Sequence, residues 1–341
     1  MKLITLLSLC GLALPLAAQV PVKIEPVLGQ HGMVVAGHPQ ATAAGLRVLR
    51  DGGNAIDAAI SVSLALNVAE PYGSGLGGKL MLLYYEAASG RTFVVDAMDA
   101  APESLDVAAY STRPPAARAY GYGSVCVPGL AAGLWLAHQR WGTRPWADDV
   151  APAITLAREG FEILHKTRQF FAEQEKKLRG GDAEIAKLYL PDGALPVVGT
   201  KLPNPDLAHT LELFAAHGRD GFYRGPVAEA IVRASAPGGG VLQREDLADY
   251  EARLTEPVAI DFRGWHLVAA PPPATGPALF LTMLKVLEEQ DFSGGPLRSA
   301  TNLELLGRVW REVIPLVQAR IADVEQARFS FEKLVAPDSI A

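Results

Sequence analysis

The chain has 341 residues, of which 49% are hydrophobic, and its formal net charge is −6. This length allows one large domain or two small ones with a substantial core, and the composition excludes a disordered, collagen-like or disulfide-rich protein. The acidic balance and the lack of a basic run argue against a nucleic-acid-binding or anionic-membrane-binding protein, because such binding depends on Lys and Arg side chains.

Residues 1–18 have the pattern of a secretory signal peptide. One lysine is followed by a mostly apolar run that ends in the small residues Ala17 and Ala18. The run is short for a membrane span, which takes about 20 apolar residues, and Pro15 interrupts it. The sequence therefore predicts export to the periplasm or the extracellular space, with cleavage after Ala18. The alternatives are a membrane anchor and a buried N-terminal helix, and no later segment resembles a membrane span.

Two helices are predicted directly after an extended lead-in. The first covers residues 41–50 and ends at a Gly-Gly pair, which is a good C-terminal stop. Asn54 is a suitable N-cap for the second, and Asp57 places a negative charge in its first turn, where it favours the helix dipole. This second helix, residues 55–69, is apolar on most faces, so we predict that it is buried.

A glycine-rich loop and a β-hairpin are predicted next. Residues 73–78 contain four glycines, and two apolar runs follow at residues 80–85 and 92–95. The turn sequence Ala-Ala-Ser-Gly separates the runs, so they read as paired strands. Because neither run alternates cleanly between apolar and polar residues, both faces of the hairpin are predicted to be covered.

The rest of the chain is predicted to be mostly helical, which makes the fold class α+β. Residues 100–125 are predicted to be a loop, and the segment 190–205 a proline-rich connection. A second strand pair is predicted at residues 256–262 and 265–269, across Arg263-Gly264. Helices are predicted at residues 130–141, 146–159, 165–190, 206–217, 226–234, 278–289 and 303–325. No internal repeat or long linker is visible, so one continuous domain is favoured.

The glycine loop partly matches two nucleotide-binding motifs. Gly73, Gly75 and Gly78 satisfy G-x-G-x-x-G, and Lys79 completes most of a P-loop. Both motifs need a strand before the glycines and a helix after them, because the helix N-terminus holds the phosphates. The predicted order here is the reverse, and Leu80 stands where a P-loop needs a hydroxyl. We therefore interpret the glycines as positions of tight backbone packing.

No metal or cofactor site is predicted. Cys10 would leave with the signal peptide, and Cys126 lies between two valines, which indicates a buried, inert thiol. The histidines show no H-E-x-x-H or other ligand spacing, and no G-x-S-x-G motif occurs. The histidines are His31, His38, His138, His165, His209, His217 and His266.

A series of short motifs, in order over residues 30 to 290, resembles the γ-glutamyltransferases. Each motif alone is weak, but together they are highly specific. They are Gly-Met-Val-Val-Ala at 32–36, Leu-Arg-Asp-Gly-Gly-Asn-Ala-Ile-Asp-Ala-Ala at 49–59, Glu-Pro at 70–71, Gly-Leu-Gly-Gly at 75–78, Val-Pro-Gly at 127–129, Gly-Thr-Arg-Pro-Trp at 142–146, Leu-Ala-Arg-Glu-Gly-Phe at 156–161, Asp-Leu-Ala-Asp-Tyr at 246–250 and Ala-Pro-Pro-Pro at 270–273.

The resemblance implies an N-terminal-nucleophile hydrolase with an αββα sandwich. Members of this family are precursors that cut themselves and expose a threonine at the start of a small subunit, whose hydroxyl attacks the γ-glutamyl amide. The resemblance identifies residues 19–341 as a large-subunit-like domain with an incomplete sandwich. Its expected partners are a small-subunit-like chain, forming a heterodimer, and a small γ-glutamyl or acyl-amide substrate. No cofactor and no nucleic acid is expected.

The chain departs from the family pattern at the expected catalytic and binding positions. It contains no Thr-Thr pair and ends at Ala341, so the nucleophile is expected beyond it and the chain alone is expected to be inactive. Met98 stands where the family has an arginine that grips the substrate α-carboxylate, and Asp99 follows it. A thioether cannot replace a bidentate charged contact, and Asp99 is expected to repel a carboxylate. An alternative is that Arg113 or Arg118 reaches the same place.

Two functional hypotheses therefore remain open. The first is the large chain of a γ-glutamyltransferase or glutathione hydrolase that acts only with a separate nucleophile-bearing small chain. The second is a non-catalytic secreted relative that serves as a binding protein or is a remnant. A neighbouring reading frame for a small subunit would favour the first hypothesis over the second.

Overall fold

A computed structural model describes residues 26–292, 295–296, 298–322, 330–336 and 338. The predicted signal peptide, residues 1–18, and Ala341 lie outside the described residues. By its internal contacts the chain divides into Met1–Met33 and the compact unit Val34–Ala341. Residues 26–33 of the first unit form neither helix nor strand. Within the described parts of the chain, no helix has the length and apolar character that crossing a membrane requires.

The structure is a mixture of helices and short antiparallel sheets. The strands are β1 (Leu80–Glu86), β2 (Arg91–Ala97), β3 (Phe161–Glu162), β4 (Lys201–Leu202), β5 (Arg253–Thr255), β6 (Val258–Phe262) and β7 (Trp265–Ala269). The helices are α1 (Pro39–Arg50), α2 (Ala55–Ala69), α3 (Val107–Ser111), α4 (Pro115–Ala119), α5 (Leu130–Trp141), α6 (Trp146–Glu159), α7 (His165–Gly180), α8 (Ala183–Tyr189), α9 (Pro205–His217), α10 (Asp220–Tyr223), α11 (Gly225–Ser235), α12 (Arg244–Asp249), α13 (Thr275–Leu287), α14 (Ala300–Arg320) and α15 (Phe331–Leu334).

Helix α2 forms where the sequence predicts it, and its start is fixed by a capping box. The Asn54 side chain accepts hydrogen bonds from the backbone N–H groups of Ile56 and Asp57, and the Asp57 carboxylate accepts one from the Asn54 N–H. These contacts satisfy N–H groups that no helical carbonyl reaches. Ile60 and Leu64 are completely buried, which confirms the prediction of a buried helix.

The predicted hairpin supplies β1 and the central strand β2 of a three-stranded antiparallel sheet in the order β1-β2-β5. Leu83 pairs with Val94 across the hairpin, and Val95 pairs with Leu254 on the other side of β2. Strand β5 has only three residues, so its sequence alone does not reveal it; pairing with β2 defines it. The remaining strands form two separate pairs, β3 with β4 and β6 with β7.

Helix α5 packs closely on one face of this sheet. An added Cβ at Gly133 would lie 2.5 Å from the Ala97 Cβ and 2.8 Å from a Leu80 side-chain carbon, so a glycine is needed for this approach. Leu82 and Tyr84 of β1 pack against the main core on the same face. That core also includes residues of α2, α6, α9 and α10, and a second cluster joins β6 and β7 to α13, α14 and α15.

In the described part of the chain, the prediction that both faces of the hairpin are covered holds for β2, where Val94 and Val95 on opposite faces are completely buried, and is wrong for β1. Side chains alternate along a strand, so Leu83 and Tyr85 point away from the core face occupied by Leu82 and Tyr84. Leu83 is 46% exposed and Tyr85 is 62% exposed. The described residues therefore leave this face open along β1, whereas Val94 of β2 on the same face is buried.

Two further segments differ from the prediction. The long helix predicted at residues 165–190 is two helices, α7 and α8, because Gly181 ends the first and the Asp182 side chain caps the second. The segment 100–125, predicted to be a loop, contains α3, α4 and a short 3₁₀ turn.

Candidate functional site

The glycine loop lies between α2 and β1 and is held by the start of α5. The Gly78 carbonyl accepts hydrogen bonds from the backbone N–H groups of Gly129, at 2.9 Å, and Leu130, at 3.0 Å. A helix precedes the loop and a strand follows it, so the arrangement that phosphate-binding loops require is absent from this segment. The loop and its neighbours border an open depression of about 400 Å³. Its lining residues are Pro71, Tyr72, Gly73, Ser74, Gly75, Gly78, Lys79 and Leu130.

The segment with Met98 and Asp99 leaves the end of β2 beside this loop. The Met98 N–H donates to the Asp96 Oδ1 at 3.1 Å, and the Met98 carbonyl accepts from the Tyr250 hydroxyl at 2.6 Å. Ala100 then forms an antiparallel bridge with Val127. The backbone at Met98 is therefore fixed from two sides, and the segment is not a free loop.

Asp99 is paired with a lysine that sequence reasoning did not assign to this site. The Lys79 Nζ lies 3.1 Å from the Asp99 Oδ1, and the two side chains are 55% and 33% exposed. The expectation that Asp99 repels a carboxylate assumed that this charge is unpaired. The ammonium of Lys79 offsets it in the structure. The signal in the sequence was the partial P-loop match, in which Lys79 follows the glycines.

The alternative cations predicted for this place have other contacts. The Arg113 guanidinium lies over the Tyr110 ring, at 5.4 Å, and its Nη1 donates to the Gly123 carbonyl at 3.4 Å. Arg118 lies in the short helix α4 and is exposed. The structure therefore brings Lys79 to Asp99, and it engages Arg113 within its own segment.

Cys126 lies near the same pair and has the properties of an unreactive thiol. Burial and, next, the negative charge of Asp99 raise the pKa of the Cys126 thiol, while Lys79 acts in the opposite direction. A raised pKa leaves little of the nucleophilic thiolate at neutral pH. The side chain is half-buried and not in a disulfide, which agrees with the predicted inert thiol.

A second group of titratable side chains lies where the ends of α2, α5 and α6 meet. Ligand atoms of Asp57, His138 and Asp149 lie within 4.8 Å of one another, and both aspartates are completely buried. The Arg144 Nε lies 3.2 Å from the Asp149 Oδ1. We call Asp57, His138, Arg144 and Asp149 the buried cluster.

The contacts of the buried cluster do not favour a metal ion. Asp57 accepts hydrogen bonds from the Thr143 N–H at 2.9 Å, the Thr143 hydroxyl at 2.5 Å and the Asn54 N–H at 2.9 Å. Although burial acts to raise it, these hydrogen bonds hold the pKa of Asp57 below its usual value. The guanidinium of Arg144 already supplies the positive charge that a cation would bring, and it would repel one.

A proton, rather than a metal, suits the two carboxyl groups. Burial and, next, the Asp57 charge raise the pKa of Asp149 to about 7, against the lowering effect of Arg144. When Asp149 is protonated, its hydroxyl can donate to Asp57, which then keeps its negative charge. Two adjacent carboxyl groups that share one proton avoid the repulsion between two buried charges.

Comparison with known proteins places the chain in a family. The Gamma-glutamyltranspeptidase family model matches residues 41–341. The chain is 32% identical to the glutathione hydrolase proenzyme of Bacillus subtilis (strain 168) over 323 residues, which is 92% of this chain and 54% of that protein. It is 34% identical to the Acylase ACY 1 proenzyme of Pseudomonas sp. (strain SE83) over 304 residues, 86% of this chain and 54% of that protein. The chain thus spans about half the length of these curated relatives.

Comparison with solved structures supports the same family. The crystal structure of Helicobacter pylori γ-glutamyltranspeptidase superposes with a TM-score of 0.87 at 26% identity, and the match covers 92% of this chain and 93% of that chain. This chain is a member of the γ-glutamyltranspeptidase family.

Proposed function

We propose that this chain is the large-subunit-like part of a γ-glutamyltransferase or glutathione hydrolase, which acts on γ-glutamyl or related acyl amides together with a nucleophile-bearing small chain or segment. The observation that carries the proposal is the match over 92% of the chain to a γ-glutamyltranspeptidase structure whose own chain is covered to 93%. Both curated relatives compared above are named proenzymes, and the chain covers about half of each.

The open side of the sheet supports a partner for this chain. Among the described residues, β1 pairs only with β2, so its outer edge has no strand beside it. Leu83 and Tyr85 on the open face are apolar and exposed. Exposed strand edges and apolar faces are sites of pairing and association. In the proposal, strands of the small chain cover this edge and this face and complete the αββα sandwich.

The chemistry would then be divided between the two parts. The 341 residues contain no Thr-Thr pair, and the proposal assigns the nucleophilic threonine to the small chain. Its hydroxyl oxygen bonds to the acyl carbon of the substrate, the amide C–N bond breaks, and the hydroxyl proton passes through the threonine's own amine to the leaving nitrogen. Water or an amino acid then takes the acyl group. The glycine loop, Met98, Asp99 and Lys79 would border the acyl group.

Residues 1–18 are proposed to be a signal peptide, with the mature domain at residues 19–341 in the periplasm or outside the cell. The pattern of the first 18 residues supports this proposal. Expression with and without residues 1–18, followed by cell fractionation and N-terminal sequencing of the exported protein, tests it. Retention of the complete chain in the cytoplasm, uncut, would refute it.

Reconstitution tests the proposed activity. The chain is expressed alone, with a small-subunit-type chain, and with the same small chain in which the nucleophilic threonine is alanine. Only the second combination is expected to hydrolyse a γ-glutamyl anilide with saturation. Turnover by the chain alone would contradict the division of labour, and no turnover by any combination would favour the non-catalytic binding protein.

Self-association of the chain alone tests the open face. We expect the isolated chain to bind an apolar dye and to self-associate, and the double variant Leu83→Ser/Tyr85→Ser to reduce both. Val107→Ser is the control, because Val107 is 67% exposed on α3, outside the sheet. A monodisperse parent chain without dye binding would mean that this face needs no partner.

A further inference from the structure

The depression beside the glycine loop contains a single charged side chain among the lining residues that the structure describes, and that side chain is Lys79. The other lining groups are apolar side chains, glycine backbone, and the hydroxyls of Tyr72 and Ser74. The Tyr72 hydroxyl already donates to the Glu70 Oε1 at 3.0 Å, so the Lys79 ammonium is the group of this depression that favours an anionic group on a ligand. Lys79 is the first residue after the loop, and the strand that begins at Leu80 fixes its backbone.

The Lys79 ammonium is held at the edge of the depression by Asp99. Their charged atoms are 3.1 Å apart, and the lysine side chain is 55% exposed. A lysine carries three N–H donors, so one contact with Asp99 leaves donors for a second anion. Asp99 directly follows Met98, and the Met98 backbone is fixed by Asp96 and Tyr250. The ammonium is therefore paired with the residue that follows Met98, the position at which an arginine is expected.

Two other cations near this region have partners of their own: the Lys166 Nζ lies 2.8 Å from the Glu70 Oε1, and Arg253 has a structural role. The Arg253 Nη2 lies 3.6 Å from the Asp96 Oδ2, and Asp96 is only 3% exposed. A buried carboxylate needs this positive charge, so Arg253 is committed to the fold. The fold does not require the charge of Lys79 in this way, because its partner Asp99 is partly exposed and stays hydrated.

We propose that Lys79 is the specificity-determining residue of this chain, and that it recognises a carboxylate on the acyl group of the substrate from the glycine loop. The inference rests on the proposed function. The ligand class is an acyl amide with a carboxylate at the far end of the acyl chain, as in a γ-glutamyl or a glutaryl group. An amine on the acyl group is not required by this contact.

Three anilide substrates show whether the carboxylate or the amine of the acyl group is recognised. They are assayed with the complete protein, which is this chain together with its nucleophile-bearing part. γ-Glutamyl anilide has the carboxylate and the amine, glutaryl anilide only the carboxylate, and 4-aminobutyryl anilide only the amine. Loss of a charge-assisted contact is expected to lower kcat/KM about 10- to 100-fold. Lys79→Met should show this loss with the first two anilides and change the third by less than about threefold. Lys79→Arg should recover most of it.

Two further variants sharpen the test. Arg91→Met, at the far end of the same hairpin, removes a cation paired with Glu256 at 3.6 Å and should change none of the three rates. Met98→Arg supplies a cation at the neighbouring position and should restore activity in the Lys79→Met background. Equal losses with all three anilides, or no recovery in this double variant, would overturn the assignment of Lys79.

If the proposed function is wrong, the three anilide rates differ from those expected for a wrong assignment of Lys79. A complete protein that hydrolyses none of the three anilides refutes the proposed function. The contact of Lys79 is then measured by titration calorimetry with glutarate, comparing the parent and Lys79→Met. Weaker binding to Lys79→Met by about tenfold or more supports the carboxylate contact, and equal or undetectable binding to both overturns it.

Discussion

Two ion pairs of this chain have nearly the same separation and very different surroundings. Arg144 and Asp149 are 3.2 Å apart, with the aspartate completely buried, whereas Lys79 and Asp99 are 3.1 Å apart and partly exposed. A buried charge loses its hydration, so its partner becomes necessary to the fold. An exposed pair adds little to stability and remains available to a ligand. Burial, and not distance, therefore separates the structural pair from the candidate functional pair.

The largest effect is expected from breaking the buried pair. Arg144→Met leaves the Asp149 and Asp57 carboxyl groups without a cation and should lower the free energy of unfolding by roughly 3–5 kcal/mol. Urea denaturation of the complete protein at pH 8 measures it. Arg47→Met is the control, since Arg47 is 77% exposed and 3.9 Å from Asp51. A loss below about 1 kcal/mol for Arg144→Met would mean that the cluster holds no buried charge.

A steric change at Gly129, whose N–H donates to the Gly78 carbonyl of the glycine loop, should have the next largest effect. A Cβ at Gly129 would collide with the Ala97 carbonyl oxygen and the Tyr250 hydroxyl, whereas a Cβ at Gly77 meets nothing within 4 Å. Gly129→Ala should cost about 1–3 kcal/mol of stability. Gly77→Ala should stay within about 0.5 kcal/mol of the parent. Similar thermal unfolding of the two variants would contradict the close contact at Gly129.

The proton in the buried cluster predicts a pH dependence. Because the folded pKa of Asp149, about 7, is raised above the usual 3.8, its contribution to stability is complete below pH 3.8 and is lost as the pH rises to about 7. Asp149→Asn mimics the protonated acid, so its stability relative to the parent should increase by about 2 kcal/mol between pH 5 and pH 7. Denaturant titrations at several pH values measure the difference between the two proteins. A difference that does not change with pH would show that Asp149 is ionised throughout.

The smallest effect is expected at the exposed pair. Lys79→Met should change the free energy of unfolding by less than about 1 kcal/mol, because solvent screens the pair. Thermal or urea unfolding of the complete protein is compared with that of Arg144→Met under the same conditions. A loss as large as that of Arg144→Met would place Lys79 among the structural cations and remove the contrast between the two pairs.

Local sequence signals located several elements without error. Asn54 and Asp57 fixed the start of α2, and glycines or prolines beside α5 and α6 marked both helices at their observed residues. The turn at residues 87–90 located the β1–β2 hairpin. Each of these signals acts through backbone hydrogen bonds or φ angles within a few residues, so neighbouring residues contain the information.

Contacts between residues that are distant in the sequence were harder to predict. Strand β5 pairs with a strand more than 150 positions earlier and has no pattern of its own. The sequence predicts that the face with Leu83 and Tyr85 is covered, because apolar residues indicate burial. Residue type does not show whether the covering element belongs to this chain or to a partner. The pairing of Lys79 with Asp99 joins the end of a loop to the end of a strand. Long-range contacts fix both sides: the Gly129 N–H donates to the Gly78 carbonyl, and the Ala100–Val127 bridge and the hydrogen bonds of Met98 hold the strand end.

The sequence by itself determined the family, the buried helix, the hairpin and the reversed order that excludes a P-loop, and it predicts that Met98 stands at the position of an arginine. Only the tertiary structure decided which charges are buried and which cation lies beside that position. The physical reason is that a residue's type fixes its charge, whereas the free energy of that charge depends on hydration and on neighbours that folding brings from distant segments. Asp149 and Asp99 have the same side chain, and their surroundings alone make one part of the core and the other part of a candidate binding site.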